Sequence, residues 1–218
     1  MAYILNIETA TRNCSISIAK DGALLVCKEI AEQGYSHAER LHVFISEALA
    51  ELQLDVSELG AVAVSQGPGS YTGLRIGISA AKGLCYALGI PMIAIDTLEV
   101  MARQIAAEDG VIIPMIDARR MEVYNAVFDA SFNKIRATEA EIIIEDSFSG
   151  IEGKIHFLGD GVLKCSEILS SGRFVFHHDK IYPSAKEMAL LSDSKYKKSD
   201  TVDVAYFEPC YLKDFVFK

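Results

Sequence analysis

The sequence predicts an α/β fold made of two similar halves, each built on a mixed β-sheet. In the first half, the elements follow the order strand–strand–strand–helix–strand–helix, which is typical of this class. The second half begins in the same way, and its first strand ends at Asp117 where that of the first half ends at Glu8. These two acids lie 109 positions apart, half of the 218-residue length. We therefore place two domains at residues 1–109 and 110–218, with the last segment able to pack back on the first domain.

The first half opens with three strands. Residues 3–8 form an apolar run, and residues 14–19 alternate isoleucine with serine after a polar turn. Asp21 and Gly22 are typical of a hairpin turn, which leads into a third strand at residues 24–30. The first β-sheet is therefore predicted to begin as a meander.

Helices dominate the rest of the first half. Ser36 and Glu39 form a capping box, and an apolar stripe at helical spacing extends the helix to Leu52. The later elements are a strand at 61–64, a helix at 74–88, a strand at 91–95 and a helix at 98–107.

The second half repeats part of this order. Strands are predicted at 111–116, 123–128 and 155–158, with a helix at 162–169. Gly159-Asp160-Gly161 follows a strand as Gly67-Pro68-Gly69 does in the first half. An internal duplication is the economical explanation. Chance recurrence of common α/β elements is the alternative.

Composition and charge exclude several classes. Half of the residues are hydrophobic, a larger share than disordered chains have. The best candidate for a membrane helix, the uncharged apolar run at 83–95, is shorter than the ~20 apolar residues that such a helix needs. The N-terminus lacks a signal-peptide pattern, so a cytoplasmic protein is expected. A net charge of −9 with one small basic cluster at Lys195, Lys197 and Lys198 argues against direct nucleic-acid binding.

Cysteines and histidines offer no metal or redox motif. The five cysteines contain no C-x-x-C pair, so reduced, mostly buried thiols are expected. His37 and His42 lie five positions apart and fall on different faces of the first helix. His177 and His178 would point to opposite sides of a strand. No metal and no cofactor is predicted.

The segment from Gly67 to Gly73 is the most distinctive motif. Its spacing, Gly67-x-Gly69-x-x-x-Gly73, fits neither the dinucleotide-binding pattern nor a P-loop. Glycines between a strand and a helix can still bring N–H groups to a phosphate, and Gly159 and Gly161 could do the same in the second half. Spacing alone favours a tight turn with close helix packing over a phosphate site.

Polar residues at two strand ends form a second candidate site. Glu8, Thr9 and Thr11 could hold a hydrated Mg²⁺ and phosphate oxygens, and Asp117 could complete an acidic pair. Hydrogen-bonded turn residues are the alternative, and it is slightly favoured. Together with the glycines, these residues would suit a nucleotide-binding or hydrolytic enzyme.

The helix at 74–88 carries apolar or small residues almost all round. Such a helix is either interior or part of a binding surface. The sequence leaves both possibilities open.

Four segments resemble one bacterial family, that of the tRNA threonylcarbamoyladenosine biosynthesis proteins called TsaB. They are Ile4–Ser17, Gly67–Gly77, Ile116–Tyr124 and Glu208–Asp214, and they occur in the family's order along the whole chain. The Gly-Pro-Gly-Ser-Tyr-Thr-Gly-Leu-Arg-Ile-Gly segment is the most specific, with Tyr71 where phenylalanine is more usual.

The resemblance implies an actin-like, ribonuclease-H-like fold of two similar domains. It also implies a role in forming threonylcarbamoyladenosine at position 37 of tRNAs that read codons starting with A. In this family the protein is an inactive paralogue of the transferase TsaD. It pairs with TsaD, the complex recruits the ATPase TsaE, and the chain alone forms a homodimer.

The resemblance also indicates where the partner binds and why catalysis is not expected. The family's pairing surface is built from its first two helices, here predicted at Ser36–Leu52 and Leu74–Leu88. TsaD carries a histidine pair that holds a metal, whereas residues 96–101 of this chain contain no histidine. The predicted interface residues are His37, Leu41, Phe44, Ile45, Leu74, Ile78, Ala81 and Cys85.

Overall fold

The computed structural model describes residues 2–31 and 37–212, and the chain divides into two compact units. Residues 2–97 and 184–210 form unit 1, and residues 98–183 and 211–212 form unit 2. The chain thus passes into unit 2 earlier than the predicted division at 109/110, because Leu98, Met101 and Ile105 pack in the apolar core of unit 2.

The elements of the two units are as follows. The helices are α1 (His37–Glu51), α2 (Tyr71–Leu88), α3 (Thr97–Ala102), α4 (Val162–Cys165) and α5 (Met188–Lys197). The strands of unit 1 are β1 (Tyr3–Glu8), β2 (Cys14–Lys20), β3 (Ala23–Ile30), β4 (Leu59–Gly67) and β5 (Met92–Asp96). Those of unit 2 are β6 (Val111–Asp117), β7 (Glu122–Asp129), β8 (Lys134–Ile142), β9 (Ile155–Leu158) and β10 (Phe174–His177).

The two sheets have the same topology. In unit 1 the strand order is β3-β2-β1-β4-β5, with antiparallel pairs among the first three strands and parallel pairs from β1 to β5. In unit 2 the order is β8-β7-β6-β9-β10, with the same directions at each pair. Gly67 is the last residue of β4 and Gly159 directly follows the equivalent strand β9, and their φ angles are similar, +111° and +108°. Shared strand order, direction and turn geometry support an internal duplication.

The helices distinguish the two units. Between the third and fourth strands, unit 1 contains α1 whereas unit 2 has only turns and irregular structure. The helix after the fourth strand has 18 residues in unit 1 and four in unit 2. Within the described residues, the pair of long adjacent helices is therefore a feature of unit 1 alone.

Three elements were not predicted. β8 is an edge strand with mostly exposed and polar residues, so its hydrophobic pattern is weak. β10 is only four residues long, and α5 has little amphipathic character. The predicted cap at Ser36 lies outside the described residues. No described helix is long and apolar enough to cross a membrane.

Candidate partner-binding surface and glycine turns

Helix α2 begins three residues earlier than predicted. Ser70 adopts an extended conformation at the N-cap, and its Oγ accepts a hydrogen bond from Gly73 N at 3.3 Å. Capping by serine satisfies one of the N–H groups that lack a partner inside the helix. The glycine segment is therefore a very short turn that leads directly into the helix.

The predicted interface residues lie on the wrong side of the two helices. Seven of the eight are at most 5% exposed, and Phe44 is partly buried against the same core. The buried seven are His37, Leu41, Ile45, Leu74, Ile78, Ala81 and Cys85. The stripe that helical periodicity reveals packs on the sheet of unit 1, because burying it there removes the most apolar surface from water. These residues form a core, not a docking surface.

His37 is a polar residue of this core and has a hydrogen-bond partner there. Its Nε2 lies 2.8 Å from the carbonyl oxygen of Thr11 and donates a hydrogen bond to it. Burial lowers the pKa of the imidazole, which favours the neutral form. The side chain therefore anchors the start of α1 to the turn after β1.

The opposite faces of α1 and α2 form an open groove of about 760 Å³. It is lined by Ala38, His42, Tyr71, Thr72, Arg75, Ile76, Ser79, Ala80, Gly83 and Leu84. Small and apolar side chains form most of its floor, and the Arg75 guanidinium carbon lies 4.0 Å from the centre of the Tyr71 ring at its rim. Sequence reasoning missed this set because small residues carry little hydrophobic periodicity, although the nearly uniform apolar character of α2 was a signal.

Two glycines of α2 have opposite surroundings. A Cβ on Gly77 would lie 2.2 Å from Thr9 Oγ1, so this glycine is needed for the helix to approach the turn after β1. A Cβ on Gly83 would meet nothing within 4 Å. A glycine inside a helix costs roughly 1 kcal/mol relative to alanine, and nothing in the described part of the chain offsets that cost at Gly83. Its effect is to leave the groove floor open.

The glycine turn of unit 1 is filled by the chain itself. A Cβ on Gly69 would lie 2.3 Å from Ala10 O, and Ser70 N donates a hydrogen bond of 2.6 Å to the same oxygen. Gly67 N donates to Thr97 Oγ1 at 3.2 Å, while Cys210 O lies 2.8 Å from where a Gly67 Cβ would stand. The turn is tightly packed, as the alternative favoured by the spacing expects, and a phosphate at Gly67 and Gly69 would have to displace these contacts.

The equivalent turn of unit 2 is used in the same way. Gly159 N donates to Lys180 O at 2.7 Å, and Gly161 N donates to Met115 O at 3.0 Å. Asp117 accepts from Arg119 N at 2.7 Å and forms an ion pair with Lys164. Gly159, Gly161 and Asp117 are thus occupied by hydrogen bonds and an ion pair within the unit, which a phosphate would have to displace.

Glu8 is wholly buried and does not resemble a metal ligand. Its Oε1 accepts a hydrogen bond of 2.6 Å from Ala10 N, and burial raises its pKa to about 7. Thr9 Oγ1 donates to Gly73 O at 2.8 Å, and Thr11 is 5% exposed. Mg²⁺ prefers to keep several waters, for which a side chain without solvent exposure leaves no space. No cluster of three or more His, Cys, Asp or Glu side chains suited to a metal occurs in the described residues.

Comparison with known proteins identifies the family. The family model described as "TsaD: tRNA N6-adenosine threonylcarbamoyltransferase" matches residues 28–214. The TsaB protein of Escherichia coli is 30% identical over 98% of this chain and 95% of its own length, and that of Bacillus subtilis is 26% identical over 96% and 93%.

A solved structure confirms the fold class. YeaZ from Pseudomonas aeruginosa superimposes with a TM-score of 0.85 at 23% identity, over 97% of this chain and all of that chain. Together with the two mixed five-stranded sheets, this likeness confirms the actin-like fold class. On the near full-length match to its relatives, the chain belongs to the TsaB family of tRNA threonylcarbamoyladenosine biosynthesis proteins.

Proposed function

We propose that this chain is a non-catalytic subunit that pairs with the transferase TsaD through the α1–α2 groove. The observation that carries the proposal is the contrast between an open apolar groove and two glycine turns filled by the chain's own atoms. The pair of this chain with TsaD then recruits TsaE and supports threonylcarbamoyladenosine formation at position 37 of tRNAs that read A-starting codons. Without TsaD, the same groove pairs two copies of this chain.

The chemistry of the groove suits a protein partner. Its floor is apolar, its rim carries Tyr71 and Arg75, and it lies on two rigid helices rather than on loops. Tyrosine and arginine are enriched at protein interfaces, where each combines a large contact area with polar groups. The open space above Gly83 would allow a partner backbone to approach α2 closely.

The absence of catalysis is supported by how the turns use their polar groups. N–H groups that could cradle a phosphate in either unit donate to protein oxygens, as at Ser70 and Gly161. Glu8 holds its proton up to about neutral pH, so it is a poor ligand for a hard cation. A nucleotide would have to displace these internal hydrogen bonds before it could bind.

The charge distribution supports an indirect role for tRNA. The net charge is −9, and in the small basic cluster Lys195 pairs with Asp200 and Lys197 with Asp193 at 2.7 Å each. Phosphate binding would have to compete with these ion pairs. We therefore propose that TsaD, not this chain, provides most of the tRNA contacts.

The test of the groove is Gly83→Glu, with Gly150→Glu as the matched control. Both glycines have no atom within 4 Å of an added Cβ, so neither substitution should disturb the core. At Gly83 the new carboxylate would place a charge on the apolar floor, where binding would bury it unpaired. Co-purification and analytical ultracentrifugation with TsaD should show at least a hundredfold weaker binding for Gly83→Glu and unchanged binding for Gly150→Glu. Equal binding by both variants would contradict the groove assignment.

A further inference from the structure

We propose that His156 Nδ1 and His177 Nε2 in unit 2 form a two-ligand site for a divalent transition metal ion of the Zn²⁺, Ni²⁺ or Cu²⁺ type. The proposal does not depend on the partner-binding function. The two histidines are 21 positions apart, and the sequence pattern did not predict that they would pair. His156 lies on β9 and His177 at the end of the neighbouring parallel strand β10.

Strand register explains why the two rings meet. His156 is opposite Val175 and His177 is opposite Leu158, so the two histidines are diagonal neighbours on adjacent strands. Residues two apart on a strand share a face, which places both rings on the same side of the sheet. The ring centroids are 5.4 Å apart with planes inclined by 27°, and Nδ1 of His156 lies 3.1 Å from Nε2 of His177.

A backbone carbonyl orients the first ligand. His156 Nε2 lies 3.2 Å from Asp109 O, and because a carbonyl oxygen can only accept, Nε2 carries the hydrogen. The lone pair of the neutral ring is therefore on Nδ1, the atom that faces His177. Histidines that bind metals commonly donate their second N–H to a carbonyl or carboxylate in this way.

The separation of the two nitrogens suits one shared ion. Typical metal–imidazole distances are ~2.0–2.1 Å, so nitrogens 3.1 Å apart would subtend about 100° at the metal. That angle lies between the values for square-planar and tetrahedral coordination. The described residues contain no group of three or more metal-binding side chains, so water would fill the remaining positions.

Burial of His177 favours the neutral form of that ring, which a metal needs. Burial and the neighbouring His156 lower the pKa of His177. The nearby charges are balanced, since Asp179 pairs with Lys180 and Asp109 with Lys154. On metal binding, the His177 proton moves through solvent from Nε2 to Nδ1, and the ion takes the place of the hydrogen bond between the rings.

The experiment is calorimetric titration of the full, tag-free chain with Zn²⁺. His156→Ala and His177→Ala are compared with His178→Ala, whose ring lies against Phe176 instead. All are made with Cys210→Ser, because Cys210 is an exposed thiol that could bind zinc. We expect one ion per chain, at least tenfold weaker binding in each of the first two variants, and unchanged binding in His178→Ala.

Three results would overturn the proposal. They are no binding by the parent chain, equal binding by all variants, or a loss confined to only one of His156 and His177. If His156→Ala fails to fold because the contact with Asp109 O is lost, His156→Gln keeps a hydrogen-bonding side chain there and removes the imidazole. Circular dichroism without zinc establishes that each variant is folded.

Discussion

Single side chains in unit 1 use the strand ends for structure rather than for chemistry. Glu8 accepts a hydrogen bond from Ala10 N, and this bond and the Ser65 hydroxyl lower its pKa less than burial raises it. Thr9 reaches back to Gly73 O, and the thiols of Cys14 and Cys85 have pKa values raised to about 11 by burial. Groups that suggest reactivity in the sequence are therefore inert in the fold.

Glu8 makes stability depend on pH in an unusual direction. The folded carboxyl titrates at about 7, whereas the usual value is 4.5. Between these values the unfolded chain has already released its proton while the folded chain retains it, so the free energy of unfolding falls as pH rises and is constant above about 7. The total effect is on the order of 3 kcal/mol.

Glu8→Gln should remove this dependence. Urea unfolding at pH 5 and pH 8 should show that the variant gains stability relative to the parent as pH rises, because glutamine has no proton to lose. The free energy of unfolding of each protein at pH 8 is compared with its own value at pH 5, so any effect of the substitution that does not depend on pH cancels. A parent–variant difference that is the same at both pH values would contradict the assignment of Glu8.

At the scale of elements, helix α2 has two functions on its two faces. One face packs on the sheet through Leu74, Ile78 and Cys85, and close approach to the turn after β1 requires Gly77. The other face lines the groove and includes Gly83. Glycine thus allows close packing at position 77 and leaves the helix surface open at position 83.

Alanine substitution separates these two roles. Gly77→Ala should lower the free energy of unfolding by ~1–3 kcal/mol, because its Cβ overlaps Thr9 Oγ1. Gly83→Ala should raise it by ~0.5–1 kcal/mol through better helix propensity. Chemical denaturation of both variants measures the difference, and equal effects would show that the Thr9 contact does not limit the approach of α2.

The glycine turns support a prediction about nucleotides. Since their amides already donate within each unit, ATP with Mg²⁺ should not bind the isolated chain at submillimolar concentrations. Calorimetry is the direct measurement. Submillimolar binding that Glu8→Ala abolishes would instead favour the alternative of a nucleotide-dependent or hydrolytic enzyme.

Most strands and the two long helices could be predicted because their apolar residues recur at the period of the element. β1 and β2 are buried on both faces, and their apolar run or regular isoleucines predict strands, whereas β8 is mostly exposed and gives little signal. What the apolar face of each helix packs against could not be predicted in this way. Periodicity identifies the apolar stripe of α1 and α2, but the same stripe could face the chain's own sheet or a partner.

The ambiguity of small residues has the same origin. Ser79, Ala80 and Gly83 carry little hydrophobic signal. Only the structure identifies them as groove residues, because it places the opposite stripe of the helix in the core. The pairing of His156 with His177 depends on the register of two strands that have only four residues each. Short edge strands are where sequence patterns are weakest.

At the scale of the molecule, the duplicated sheets differ mainly in what covers them. Both units keep the same strand order, but the described part of unit 2 lacks a counterpart of α1 and has a four-residue helix in place of α2. The residues 184–210 belong to unit 1, so the unit with the groove is also the larger one. This asymmetry is what a subunit needs if one half binds a partner and neither half performs catalysis.

The most direct test is reconstitution of threonylcarbamoyladenosine formation with TsaD, TsaE, tRNA and the small-molecule substrates. Formation should require this chain, should fall at least tenfold with Gly83→Glu, and should be unchanged with Gly150→Glu. Modification that proceeds equally well without the chain, or with Gly83→Glu in its place, would contradict the account of a non-catalytic subunit acting through the α1–α2 groove.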